Sequence, residues 1–135
     1  MATKWLIPVF SVAALVLSSP LAACGMGRMA GPPETPAERT RSVELAVRDI
    51  VMTRCDLEER CQNIGGGQRF ERRDTCESKL QGTTAAEVNL ADCPLGVDPR
   101  KLDVCLSSIR AEDCGSIFDA LSRWNSCRKG QLCYH

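Results

Sequence analysis

Cysteine is the residue type with the most chemistry to offer in this chain: nine occur in 135 residues. Eight lie between 55 and 133, at Cys55, Cys61, Cys76, Cys93, Cys105, Cys114, Cys127 and Cys133, spaced C-x5-C-x14-C-x16-C-x11-C-x8-C-x12-C-x5-C. Zinc sites use close Cys or His pairs with two to four residues between the ligands. The tightest pairs here have five between them, and the only histidine is the terminal His135, so no metal or other cofactor is expected. Thiol–disulfide redox work needs a C-x-x-C whose thiolate is stabilised at a helix N-terminus. The chain has no C-x-x-C. The remaining reading is structural: four disulfides, each stabilising by about 2–4 kcal/mol, mainly by restricting the unfolded chain. Eight cysteines can pair in about a hundred ways, and spacing does not choose among them.

The ninth cysteine, Cys24, stands apart. Lys4 supplies a positive charge, and Trp5 to Leu17 is then apolar except for Pro8 and Ser11. Such a run suits a secretory leader and falls short of the roughly 20 apolar residues a spanning helix needs. It closes on Leu21-Ala22-Ala23-Cys24. This tetrapeptide resembles the lipobox of bacterial lipoproteins. The resemblance implies cleavage between Ala23 and Cys24, a diacylglyceryl group on the Cys24 sulfur, and an acyl chain such as palmitate on the freed amine. Two or three chains make a durable anchor where one is marginal, at about 0.8 kcal/mol per buried methylene. Gly25 takes the place of the Asp that favours inner-membrane retention, so the outer membrane is the expected destination. Lipidation would also explain the odd cysteine count.

Catalysis finds little support. A Ser-His-Asp or Cys-His centre needs a histidine base, and a terminal one is poorly placed. Asp56, Glu58 and Glu59 could supply a carboxylate pair, but they read as a solvated helix face. No enzyme activity is expected. Lysine and arginine balance aspartate and glutamate, 17 against 17. Lys4 is the only charge in 1–23, so removing that segment leaves 16 basic against 17 acidic residues, a net of −1. Arg69, Arg72, Arg73 and Lys79 are interleaved with Glu71, Asp74 and Glu77. A nucleic-acid partner needs a clustered basic face, so none is expected.

These observations divide the chain into a leader over 1–23, a lipidated N-terminus and flexible tether over 24–40, and a cysteine-rich helical domain over 41–135. The tether follows from its Gly and Pro content. From about Pro36 the pattern turns helical. Val43, Ala46, Val47, Ile50, Val51, Leu57 and Ile64 recur at helical steps and predict a first helix over 37–63, ended by Gly65-Gly66-Gly67. A second helix is expected over 69–81, with Phe70, Cys76 and Leu80 inward and Gly82-Thr83-Thr84 interrupting it. Residues 85–92 are expected to add a helical turn. Asp98-Pro99 has the form of an N-cap followed by Pro at N1 and opens a third helix over 99–110. Ser116 caps a fourth over 117–127, where Ile117, Phe118, Leu121 and Trp124 repeat at helical spacing and Phe118 and Trp124 are expected to pack in the core. No alternating run long enough for a strand is present. The fold class is therefore all-α, a small disulfide-stapled bundle of about four helices.

The domain also resembles small cysteine-rich lipoproteins of uncharacterised families, some labelled natural-product-biosynthesis lipoproteins. The residues behind the resemblance are the lipobox, Cys55 and Cys61 followed by Ile64-Gly65, the stretch from Asp98 to Cys114, and Leu132-Cys133. It implies no reaction and no catalytic residue. The functional expectation is a non-enzymatic envelope lipoprotein, held to membrane lipid through acylated Cys24 and binding an unknown envelope protein or small molecule. The alternatives are an accessory protein or enzyme in natural-product biosynthesis, and a disulfide-rich inhibitor or toxin-like module presenting the Gly65–Gly67 loop.

Overall fold

The computed structural model describes residues 31–135. The leader, Ala23 and Cys24 lie outside them. Five helices follow in order: α1 Pro36–Arg60, α2 Arg73–Glu87, α3 Pro99–Arg110, α4 Ile117–Cys127 and α5 Lys129–Leu132. Strand pairing among the described residues is limited to two isolated bridges, Ile64 with Phe70 and Val97 with Cys133. The protein is all-α, and none of these helices is long and apolar enough to cross a membrane.

Helix α1 begins inside the segment read as tether. Thr35 caps it with a reciprocal box: its hydroxyl accepts from the Glu38 backbone N–H at 3.2 Å, while the Glu38 carboxylate accepts from the Thr35 N–H at 2.8 Å. Pro36 occupies the first turn, where its missing N–H costs nothing. Val43, Ala46, Val47, Ile50, Val51, Cys55 and Leu57 then form the buried stripe. The helix ends ahead of the glycine triplet. Gln62 takes φ +58°, and its N–H donates to the Glu59 carbonyl while that of Asn63 donates to the Glu58 carbonyl. This is a Schellman closure built on glutamine instead of glycine.

Helix α2 starts four residues later than the spacing predicts and runs through Gly82-Thr83-Thr84. Phe70 precedes it, buried in the bridge to Ile64. Gly82 is solvent-exposed, so its cost is the helix-interior penalty of about 1 kcal/mol. Packing of Cys76, Leu80 and Thr84 against α1 outweighs that penalty. Helices α3 and α4 have the expected limits. Asp98 accepts from the Arg100 N–H at 2.9 Å, and Ser116 from the Asp119 N–H at 3.2 Å.

The eight cysteines form four disulfides, Cys55–Cys76, Cys61–Cys114, Cys93–Cys133 and Cys105–Cys127. They join α1 to α2, the end of α1 to the α3–α4 turn, the α2–α3 loop to the C-terminal segment, and α3 to the end of α4. The last of these changes the expected core. Ile117, Phe118, Leu121 and Trp124 are exposed, Phe118 at 77 % and Trp124 at 63 %, and α4 buries no residue. The core is already filled by α1, α2, α3 and Leu132. A disulfide, the Arg123–Glu112 ion pair and the Asp113 N–H donating to Asp119 at 3.0 Å hold α4 instead of apolar burial.

Gly96 lies where the start of α1, the α2–α3 loop and the C-terminal segment meet. Its φ is +86°, and a Cβ there would sit 2.6 Å from Ser42 Oγ and 3.1 Å from Pro33 Cγ. The Gly96 carbonyl accepts from the Tyr134 N–H at 3.1 Å, and Ser42 Oγ accepts from the Val97 N–H at 3.2 Å. Gly96→Ala is expected to destabilise by more than about 1 kcal/mol, since it combines a left-handed backbone with a close approach. A chemical denaturation midpoint compared with the parent protein checks this.

Candidate functional site

The carboxylates considered for acid–base work are engaged elsewhere. Arg73 donates to Asp56 at 2.5 Å, to Glu59 at 2.8 Å and to Glu77 at 2.9 Å. Hydrogen bonding to Asp56, then to Glu77, raises the Arg73 pKa further. Glu58 accepts from Arg69 at 2.8 Å and from Asn63 Nδ2 at 2.7 Å. Arg69 and Arg73 therefore brace the α1–α2 corner, while Arg72 pairs locally with Asp74. All eight cysteines of the domain are in disulfides, and among the described residues no three His, Cys, Asp or Glu side chains converge as a metal site.

The feature with binding chemistry is a cleft of about 700 Å³ between α1, the end of α2 and the α4–α5 corner. Pockets of about 300–1,000 Å³ are the range that holds small molecules. Ile50 and Val88 form its apolar floor, at 3 % and 2 % exposure. Trp124 and Arg128 stand at its rim, with the guanidinium carbon 5.8 Å from the indole centroid. Four cations and one carboxylate line it: Arg54, Arg123, Arg128 and Lys129 against Glu87. Arg123 is held by Glu112, and Lys129 by Asp92 at 2.8 Å. Arg54 differs. It is half-buried and has no hydrogen bond or ion pair among the described residues. Burial lowers its pKa, the charge of Arg123 adds to that, and Glu87 and Glu58 oppose it. Arginine nevertheless remains charged in proteins.

Thr84 is the second unusual group. It is 2 % exposed, it lines the same cleft, and its hydroxyl has no hydrogen-bond partner among the described residues. A buried hydroxyl left unpaired costs about 1–3 kcal/mol, so such groups normally find a partner.

Residues 55–135 match the model of the Family of unknown function (DUF6184). The chain belongs to that family. The DUF6184 match takes in all eight disulfide cysteines, together with Thr84, Trp124 and Arg128; Ile50 and Arg54 lie just ahead of it. No curated protein and no solved structure matches the chain.

Arg54 and Thr84 are not among the residues that the sequence singles out, yet each leaves a signal in it. At about 100° per residue, Arg54 falls between Ile50 and Val47 on the helical wheel, a charge inside the apolar arc of α1. Thr84 continues the four-residue series Cys76, Leu80, Thr84, Val88, which is visible only once α2 is extended past Gly82. The disulfides tie together the elements that carry the cleft: Cys55, next to Arg54, is joined to Cys76 of α2, and Cys127 at the cleft is joined to Cys105 of α3.

Proposed function

We propose that this protein is a membrane-anchored lipoprotein of the cell envelope whose stapled helical domain is a non-enzymatic binding module. The observation that carries the binding part is the cleft, where a half-buried arginine and a buried hydroxyl, neither with a hydrogen-bond partner among the described residues, meet an apolar floor on a cross-linked scaffold. The anchor rests on Leu21-Ala22-Ala23-Cys24 and on cysteine parity. With eight cysteines consumed in four disulfides, Cys24 is the one left over for attachment. An oxidising compartment suits that disulfide density in so small a domain. Residues 25–35 then serve as the tether between lipid and α1, and the outer membrane is the favoured location.

Expression in a Gram-negative host tests the anchor. The protein is expected in the membrane fraction, with an N-terminus at Cys24 carrying diacylglyceryl and acyl mass. Cys24→Ser is expected to abolish that added mass and to shift the protein out of the detergent-extracted fraction. A parent protein starting at Cys24 without lipid mass would overturn the lipoprotein reading.

A further inference from the structure

The cleft's chemistry narrows what it holds. Its floor is apolar and its wall carries one guanidinium and one hydroxyl in need of acceptors. Arg54 lies one turn beyond Ile50 on α1, and Thr84 one turn before Val88 on α2, so each polar group is paired along its helix with an apolar floor residue. A planar guanidinium offers parallel N–H donors matched to the two oxygens of a carboxylate. The Thr84 hydroxyl adds one more donor. Three donors suit a head with two oxygens and a single negative charge. A doubly charged phosphate would want more, and two of the three neighbouring cations are ion-paired already, Arg123 to Glu112 and Lys129 to Asp92, while Arg128 stands exposed at the rim beside Trp124. Glu87 in the lining disfavours a second negative charge further.

We propose that the cleft binds a carboxylate amphiphile, a single apolar chain or ring body ending in one carboxylate. The carboxylate pairs with Arg54 and accepts from Thr84. The apolar body lies on Ile50 and Val88 with Trp124 closing over it. This deepens the binding-module reading and rests on it.

Calorimetric titration of the purified protein with decanoate, decanol and decyl phosphate tests the assignment. Decanoate is expected to bind at one site, with decanol and decyl phosphate weaker. Arg54→Gln is expected to weaken decanoate by about tenfold or more, as loss of a charge-assisted pair does, and to leave decanol unchanged. Thr84→Val, which keeps the side chain's shape, is expected to weaken decanoate severalfold without shifting decanol. The melting temperature of each variant confirms that it is folded. Equal binding of decanoate and decanol, both insensitive to Arg54→Gln, would overturn the carboxylate assignment while leaving a binding cleft standing. Tighter binding of decyl phosphate would overturn the choice of head group in the same way. No binding of any of the three would remove both the amphiphile and the support the cleft lends to the binding module.

Discussion

Removing the Cys61–Cys114 bridge by the double change Cys61→Ala, Cys114→Ala is expected to lower the unfolding free energy by about 4 kcal/mol. The bridge spans 53 positions, the longest separation of the four. Closing a longer loop removes more conformational freedom from the unfolded chain, which is where most of a disulfide's effect arises. It is also the bridge best suited to isolate that effect. Cys61 is half-buried at the edge of the core and Cys114 is exposed, so their replacement removes less packing than loss of a fully buried bridge. The Cys55–Cys76 bridge is the contrasting case. Its separation of 21 gives a smaller entropic contribution, about 3 kcal/mol, but both sulfurs are fully buried. Its loss adds a packing deficit on top of the entropy. Urea denaturation of the two double variants separates the contributions. A Cys61–Cys114 variant with unchanged stability would show that the α3–α4 turn is held without its bridge. Domains of this size have a net stability of about 5–15 kcal/mol, so complete reduction is expected to unfold this one. Loss of the helical circular dichroism signal on adding reductant under native conditions is the readout.

What could be read in the sequence was local, and what could not was decided between elements. Asp98-Pro99 and Ser116 announce α3 and α4 because a cap satisfies backbone donors within its own turn. The end of α1 is set otherwise. Gln62 takes a left-handed conformation that glycine usually supplies, while the Ile64–Phe70 bridge draws the chain back on itself. The glycine triplet points to a break in that region but sits three residues past it. Gly82 marks a local weakness in α2 that tertiary packing overrides. The apolar spacing of α4 correctly makes it a helix but is silent on which partner covers its face. Periodicity cannot distinguish an apolar stripe that is buried from one that a disulfide leaves in solvent. Disulfide pairing is equally a matter of tertiary proximity: Cys61 finds Cys114 only because α1 and α3 pack. The candidate cleft shares that limit. Arg54, Thr84 and Trp124 come from three helices, and each alone looks ordinary.

Ile109→Ala is expected to cost about 2–5 kcal/mol, and Ile109→Val about 0.5–1.5 kcal/mol. Ile109 is fully buried, on a helix that packs against α1, α4 and α5, so the lost methyl groups leave a cavity that several elements would have to move to fill. The surrounding cross-links resist that movement. Cys105 lies one turn earlier on α3 and is bonded to Cys127, and the Cys61–Cys114 bridge clamps the turn just beyond α3. Restricted relaxation places the cost toward the upper part of that range, because the penalty grows with the volume that stays empty. Phe118→Ala supplies the opposite expectation. Phenylalanine is the larger side chain, and a core position for it would make its truncation the more damaging change. At 77 % exposure it is expected to alter stability by no more than about 0.5 kcal/mol. Equilibrium denaturation of the two variants side by side decides between the two arrangements of α4. A small effect at Ile109 with a large one at Phe118 would mean that α4 turns its apolar face inward and that the core lies between α3 and α4. The expected order instead means that α1, α2 and α3 form the core, and that α4 is carried on it by covalent and ionic links with its apolar face in solvent.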